Sequence, residues 1–357
     1  MKIHTKFLIN LYNFSFLKVF IVFFFIILIT NILEQLEFFK NINLSFIYLI
    51  FLSLLNTPSI LFEILPFIFL LSTQVFFIYL IDKNELQIFK YNGLTNLKII
   101  KILSIYTFIL GFIFIFIFYN FSSSLKNSFL LIKNSYTNDQ KYLAVITENG
   151  LWIKDEINGQ INIINAEKFN DHFLLNVSIT QFDKNFDIFK IINSTKVDVS
   201  TNNWKIFKPV ILKDNQESVP SELILQSNFD FIKINSLFSN LSSLTMFELL
   251  KLRDNYISLN YSIVDIDSHL YKIFSYPIFL MLITIFSAVI MFNIGYQKNY
   301  FFNIVLGVFL SVIIYYISYF FNILGTNEKI PLILSILLPL VILLLLNLTT
   351  MIKLNEK

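Results

Sequence analysis

Six apolar runs, each long enough to cross a bilayer, constrain this chain more than any other feature. The runs cover residues 14–33, 59–81, 97–121, 273–294, 301–324 and 331–352. A helix of about 20 apolar residues spans the hydrocarbon core of a bilayer, which is about 30 Å thick. Hydrophobic residues make up 56% of the chain and charged residues only 14%, whereas roughly 25% of an ordinary soluble domain is charged. The sequence therefore predicts an α-helical membrane protein with six transmembrane helices.

A shorter apolar stretch, residues 44–55, precedes the second run and ends at Asn56, Thr57 and Pro58. Because proline interrupts most helices, this pattern predicts an interfacial or re-entrant helix that is separate from the span at 59–81. Pro66 lies within that span, and we expect it to kink the helix.

The distribution of lysines predicts the orientation of the spans. Basic side chains occur before the first run and between the second and third, at Lys2, Lys6, Lys83, Lys90, Lys98 and Lys101. Since cytoplasmic loops carry an excess of lysine and arginine, the N-terminus and this loop are predicted to be cytoplasmic. Residues 122–271 carry more acidic than basic side chains, which favours export. We therefore expect a multi-pass protein of an inner-type membrane with its central domain exported to the periplasm or the cell exterior.

The central region alternates between apolar and polar residues, as half-buried strands do. Such runs occur at 150–154, 159–164, 175–180, 188–192, 196–199 and 203–207, and they predict an antiparallel sandwich or open roll. Thr245 followed by Glu248 is typical of a helix N-terminus. Trp152 and Trp204 are interpreted as core aromatics of this domain, with ligand contact as the alternative.

The residue types of common catalytic and metal sites are missing or scattered. The chain has no cysteine, no glycine-rich phosphate loop and no HExxH or GxSxG motif. Its histidines, His4, His172 and His269, lie far apart in sequence. The net charge is only +3, which gives no reason to expect a nucleic-acid partner. We therefore expect a chain that is not an enzyme and has no metal or cofactor, so that energy for any transport enters from a partner.

The predicted cytoplasmic loop between the second and third runs carries helix signals at about 84–93. Asn84 is a possible N-cap, Glu85 lies in the first turn and Asn92-Gly93 is a stop signal. The apolar positions of this segment are Leu86, Phe89 and Leu94. The pattern predicts a short helix that lies across the bilayer face, and a solvated connector is the alternative.

Short strings in every part of the chain carry a family resemblance. They are Leu-Glu-Gln-Leu at 33–36, Thr-Pro-Ser-Ile-Leu-Phe-Glu-Ile-Leu-Pro at 57–66, Asn-Glu-Leu-Gln-Ile-Phe-Lys-Tyr-Asn-Gly-Leu-Thr at 84–95, Asn-Gly-Leu-Trp-Ile-Lys-Asp at 149–155, Asn-Trp-Lys-Ile at 203–206, Lys-Ile-Phe-Ser-Tyr-Pro at 272–277, Lys-Ile-Pro at 329–331 and Leu-Pro at 338–339. In order and spacing they resemble the LptF/LptG family, the paired permease subunits of the lipopolysaccharide exporter. The strings at 34–36 and 150–155 are more similar to LptG than to LptF.

The resemblance implies a set of partners. Members pair as an LptF-like and an LptG-like permease, an LptB ATPase dimer binds ATP and Mg²⁺ below them, and lipopolysaccharide enters the cavity between the two helical bundles. Periplasmic β-jellyroll domains, together with LptC, then pass the lipid towards the outer membrane. Spans one and five are expected to form the lateral gate. On this basis we expect transmembrane helices 1–3 in residues 1–121, a β-jellyroll domain in 122–271 and transmembrane helices 4–6 in 272–357.

The resemblance also implies residue roles. The helix at 84–93 corresponds to the coupling helix that docks in a groove of LptB, with Glu85, Leu86, Phe89 and Gly93 as its coupling residues. Relatives of LptG carry several lysines at the periplasmic end of span one, where this chain has only Lys40. Lys40 and Glu34 are therefore the candidates for substrate binding, and an ordinary interfacial lysine is the alternative for Lys40.

Two other classes share some of these features. A lipoprotein-release or MacB-type permease also borrows an ATPase, but it has four spans with its large domain after the first. A membrane sensor with a periplasmic ligand-binding domain needs a cytoplasmic output domain, and the predicted cytoplasmic loops here are short.

Overall fold

The chain forms two compact units, which are described separately. One unit comprises Met1–Lys126 and Val264–Lys357, and the other comprises Asn127–Ile263. A computed structural model describes residues 3–40, 42, 44–136, 151–157, 160–170, 172–182, 187–213, 216–231, 234, 240–258, 262–293 and 300–355.

The regular structure of the first unit is helical throughout its described residues. The α-helices in the described part of the chain are α1 (Ile3–Phe38), α2 (Phe46–Asp82), α3 (Glu85–Tyr91), α4 (Asn96–Ile113), α5 (Asn120–Ser135), α6 (Met246–Ser258), α7 (Val264–Asn293), α8 (Tyr300–Thr326) and α9 (Leu332–Asn355). A π-helical turn, Phe114–Tyr119, joins α4 to α5. Six helices in the described part of the chain are long and apolar enough to cross a membrane, which confirms the predicted number of spans.

The second span, α2, differs from the sequence prediction. It runs without a break from Phe46 to Asp82 and contains both Pro58 and Pro66, so the separate helix predicted at 44–55 was wrong. A proline inside a transmembrane helix is tolerated when neighbouring groups satisfy the backbone carbonyl that it leaves without a donor. Pro66 leaves the carbonyl of Phe62, four residues earlier, in that position. The hydroxyl of Tyr276, on α7, donates a hydrogen bond to this carbonyl at 2.5 Å.

The spans differ in how much of their surface the unit itself buries. In the most apolar window of each span, 61% of the second and 56% of the fourth is buried, against 22% of the first and 17% of the fifth. The second span, α2, packs against α1, α7 and α8, while α4 packs against α7. Spans two and four therefore form the centre of the unit, and spans one and five present large apolar faces outward.

A glycine allows the helices α4 and α7 to approach closely. A Cβ atom on Gly111 of α4 would lie 2.6 Å from the Cα atom of Pro277 on α7. Such contacts are common where transmembrane helices cross, since small residues let the backbones meet. The crossing of α4 and α7 therefore depends on the absence of a side chain at position 111.

The second unit contains one antiparallel sheet, which confirms the prediction of a β-rich insertion. Its strands are β1 (Leu151–Ile157), β2 (Gln160–Asn170), β3 (Phe173–Phe182), β4 (Ile188–Asp198), β5 (Asn203–Phe207), β6 (Val210–Lys213), β7 (Gln216–Ser218) and β8 (Glu222–Gln226). The order is β1-β2-β3-β4-β5-β8, and β6 pairs with both β4 and β7. One end of β4 pairs with β5 and the other with β6, so the sheet divides at this strand.

The two tryptophans of this unit have different environments. Trp204 is fully buried, and its indole nitrogen donates to the carbonyl of Phe229 at 2.7 Å, which confirms it as a core residue. Trp152 is 56% exposed, so its assignment to the core was wrong. Because side chains alternate along a strand, the buried neighbours Leu151 and Ile153 place Trp152 on the opposite face.

Helices extend the chain at both limits of the β-rich unit. The unit begins at Asn127 and ends at Ile263, against the predicted limits of 122 and 271. The first limit lies within α5, which continues the helical path of span three to Ser135, and the second lies directly before α7, which begins at Val264. The predicted helix start at Thr245 is confirmed: its backbone N–H and its hydroxyl both donate to Glu248 Oε2 at 2.8 Å, and α6 begins at Met246.

Candidate functional site

The loop helix α3 joins the second and third spans and has a well-defined end on each side. Asn84, its N-cap residue, adopts a left-handed backbone with φ 54°, which asparagine tolerates better than most residues. At the other end, the N–H of Gly93 bonds the carbonyl of Lys90 and the N–H of Leu94 bonds that of Phe89, both at 3.0 Å. These two bonds form a Schellman motif, which requires a left-handed residue such as Gly93, whose φ is 78°. Gly93 therefore ends the helix.

Most of the predicted apolar positions of α3 pack against the helical unit. Leu86 and Leu94 are buried. Phe89 is half-buried, and its ring centroid lies 5.9 Å from that of Phe7 on α1. The helix is thus attached to the first and second spans through its own hydrophobic side, as expected for a helix that lies across the bilayer face.

A second apolar face of α3 is open to solvent. Ile88 is 56% exposed and Tyr91 is 88% exposed, and they lie three residues apart, on one face of the helix. The exposed polar residues Gln87 and Lys90 flank them. The sequence reasoning did not select Ile88 or Tyr91. Their i, i+3 spacing indicates a shared helix face, but the sequence does not show which of the two apolar faces of α3 packs against the rest of the protein.

Glu85 is half-buried in the first turn of α3. Its Oε2 atom is buried and accepts no hydrogen bond from the described residues. Burial raises the pKa of the Glu85 carboxyl, and the positive charge of Lys83 opposes this effect. A cation placed next to Glu85 would stabilise the ionised carboxylate.

The candidate substrate residues lie at the end of the first span. Glu34 is exposed near the C-terminal end of α1, and Lys40 is exposed just beyond it. Three residues before Glu34, the buried Asn31 joins α1 to α2: Asn56 Nδ2 donates to Asn31 Oδ1 at 3.0 Å, and Asn31 Nδ2 donates to Thr57 Oγ1 at 3.3 Å. This contact fixes the end of the first span on which Glu34 lies. Among the described residues, no group of three or more metal-ligating side chains comes together.

Six spans, a β-rich insertion after the third span and a short helix presented between the second and third define a multi-pass membrane permease. The family model described as lipopolysaccharide export system permease LptF/LptG matches residues 6–353. The chain therefore belongs to the LptF/LptG family. The match does not separate LptF from LptG. No curated protein matches the chain at a significant level.

Membership of this family confirms several predictions. The chain is a transport subunit of lipopolysaccharide export rather than a catalytic one, and it is a multi-pass protein of the inner membrane. A lipoprotein-release or MacB-type permease fits neither the family nor the number of spans, and a membrane sensor does not fit the family. The closer similarity to LptG stays a prediction.

Proposed function

We propose that the chain is one of two paired permeases that extract lipopolysaccharide from the inner membrane and pass it to a periplasmic β-jellyroll bridge that includes LptC. An LptB ATPase dimer supplies the energy, and it alone binds ATP and Mg²⁺. The observation that carries this proposal is the loop helix α3, which is attached to the spans on one side and presents a second apolar face on the other.

The attachment of α3 suits it to transmit force. Leu86 is buried, Phe89 contacts Phe7 of the first span, and α3 follows the second span after only two residues. Movement of α3 would therefore displace both spans together. A helix that was merely a solvated connector would have no buried side of its own.

The exposed face of α3 suits it to bind a partner. Exposed tyrosine is often a residue that contributes strongly to binding at interfaces, and Tyr91 with Ile88 would leave water when an ATPase subunit docks. Glu85, at the start of the helix, would pair with a basic side chain of that subunit. We assign Leu86, Phe89 and Gly93 to holding and ending the helix, and Glu85, Ile88 and Tyr91 to contact with the ATPase.

The least buried spans suit the lipid path. Spans one and five, α1 and α8, leave most of their apolar surface outside the unit, and we assign these faces to the partner permease, the lipid cavity and its lateral gate. Lys40, just beyond span one, is exposed and would contact a phosphate of the headgroup, and Glu34 is exposed near the same end of the span.

Substitutions on α3 test the proposal. Glu85→Lys and Tyr91→Asp are expected to abolish co-purification of the ATPase and to block lipopolysaccharide export, while the protein remains inserted in the membrane. Gln87→Ala, an exposed change on the same helix, is the control and should leave both unchanged. ATPase capture and export at the wild-type level by both Glu85→Lys and Tyr91→Asp would remove α3 from the coupling step.

A further inference from the structure

A row of polar side chains crosses one face of the β-rich unit, next to its hydrophobic core. Its first members are directly opposite one another in the sheet: Asp155 pairs with Asn162, and Asn162 with Gln181. Gln181 pairs with Lys190, and Lys213 pairs with Gln216. The pairing of β4 with β6, carried one residue beyond Ile191 and Leu212, sets Lys190 opposite Lys213.

The neighbouring row shows that this face is the inner one. It consists of five buried isoleucines that lie opposite one another in neighbouring strands of the sheet. They are Ile153 of β1, Ile164 of β2, Ile179 of β3, Ile192 of β4 and Ile211 of β6. Since residues two apart on a strand share a face, the polar row lies on the same side. Asp155, Asn162 and Gln181 are buried accordingly. The polar row therefore lies at the edge of the hydrophobic core, close to the C-terminal ends of β1, β3 and β6.

Hydrogen bonds within the unit occupy the half of the row that β1, β2 and β3 provide. Asp155 accepts from Ser227 Oγ at 2.8 Å and from Asn228 N and Nδ2 at 3.1 and 2.9 Å. Gln181 Nε2 donates to Asn162 Oδ1 at 2.8 Å. Asp155, the acidic residue of the row, is therefore hydrogen-bonded to the segment that follows β8, at the end of the row far from the two lysines.

The other half of the row places two positive charges side by side. Like charges directly opposite each other destabilise a sheet. Partial burial, together with the charge of Lys213, lowers the pKa of Lys190. Lys213 Nζ lies 4.6 Å from the centre of the Phe189 ring, and the apolar side chains of Ile188 and Phe189 next to the pair are exposed. The arrangement combines two cations with an open apolar surface.

We propose that Lys190 and Lys213 bind the phosphate group of an amphiphile whose apolar part contacts Ile188 and Phe189. An anion between two ammonium groups removes their repulsion and accepts charge-assisted hydrogen bonds from both. The identification of the natural ligand as a phosphorylated glycolipid rests on the proposed function, whereas the site itself does not. Asp183 and Asp214 follow β3 and β6 in the sequence but lie outside the described residues, and the first measurement decides whether they neutralise the lysines.

The first measurement is the thermal stability of the full chain in dodecyl maltoside, without added anion. Both tryptophans of the chain, Trp152 and Trp204, lie in the β-rich unit, so tryptophan fluorescence reports its unfolding. If the lysines repel each other, Lys213→Gln raises the Tm at low salt. If an aspartate already neutralises the pair, Lys213→Gln lowers the Tm, and the proposal is overturned.

The second measurement is binding of dodecyl phosphate, compared with inorganic phosphate, followed by the rise in Tm. Wild-type protein should bind dodecyl phosphate more tightly than inorganic phosphate. The double variant Lys190→Gln/Lys213→Gln should bind dodecyl phosphate at least about tenfold more weakly, which is about 1.4 kcal/mol. The control Lys168→Gln/Lys251→Gln, which removes the same charge from exposed positions of the same unit, should bind as wild type does.

Equal affinity of the wild-type protein for dodecyl phosphate and inorganic phosphate would refute the role of the apolar surface. An equal loss of dodecyl phosphate binding in the Lys168→Gln/Lys251→Gln control would refute the site. Neither result bears on ATPase capture, which both lysine variants should retain. Failure of the wild-type chain to capture an ATPase would instead refute the proposed function and leave the binding measurement standing.

Discussion

The hydrogen bond between Tyr276 and the carbonyl of Phe62 gives a quantitative prediction about the helical unit. Pro66 has no N–H with which to satisfy this carbonyl, and the Tyr276 hydroxyl is the donor that takes its place. Tyr276→Phe removes the hydroxyl but keeps the ring, which stacks on that of Phe62 with centroids 4.8 Å apart. The packing is therefore conserved, and the change isolates one hydrogen bond.

The expected cost follows from the environment of the bond. A buried acceptor without a donor costs about 1–3 kcal/mol in proteins generally, and hydrogen bonds between transmembrane helices average about 0.6 kcal/mol with a maximum near 1.7. Since no second donor competes for this carbonyl, we expect Tyr276→Phe to destabilise the unit by about 1–1.5 kcal/mol. Tyr315→Phe, at an exposed tyrosine of α8, should change the stability by less than about 0.5 kcal/mol.

A double-mutant cycle tests the cause. Pro66→Ala restores a backbone N–H that bonds the carbonyl of Phe62, so in this background Tyr276→Phe should cost about 1 kcal/mol less than in the wild type. Equilibrium unfolding in mixed dodecyl maltoside and dodecyl sulfate micelles, followed by helical circular dichroism, measures each corner of the cycle. Equal costs in the two backgrounds would show that the hydroxyl does not compensate for the proline.

Four further changes have defined outcomes. Gly111→Leu should destabilise the helical unit by about 1–3 kcal/mol in the same unfolding assay, because its side chain would collide with the backbone at Pro277. Trp204→Phe should lower the stability of the β-rich unit by about 1–3 kcal/mol through the lost hydrogen bond of a buried indole, while Trp152→Phe changes it by less than about 0.5 kcal/mol, as thermal unfolding would show. Because the pKa of Glu85 is raised in the folded protein, folding favours the protonated carboxyl, and stability is lost as the pH rises from about 4.5 through the folded-state pKa. Glu85→Gln should reduce this pH dependence of the free energy of unfolding, measured from pH 4 to 8.

The six spans were predictable because a bilayer demands long apolar helices and permits few alternatives. The start of α2 was not predictable, because a proline such as Pro58 usually ends or kinks a helix in a soluble protein. The exposure of Trp152 follows from the alternation of Leu151, Trp152 and Ile153, which places the tryptophan on the face opposite its two buried neighbours.

The candidate site was predictable in part. The limits of α3 follow from Glu85, Asn92 and Gly93, which are local signals. Its orientation depends on contacts with Phe7, about 80 residues earlier, and no local signal carries that information. The juxtaposition of Lys190 and Lys213 likewise depends on the register between β4 and β6, which the turns and the hydrophobic core set together.

The unbroken course of α2 has a mechanical consequence. At about 1.5 Å per residue, its 37 residues form a rod of about 55 Å, well beyond the thickness of the hydrocarbon core. Under the proposed function, such a rod would carry a displacement of α3 at one membrane surface towards the opposite surface, near which Asn56 and Thr57 hydrogen-bond Asn31 of the first span. Two glycines introduced near the middle of α2 should then uncouple ATP hydrolysis by the partner from release of the lipid.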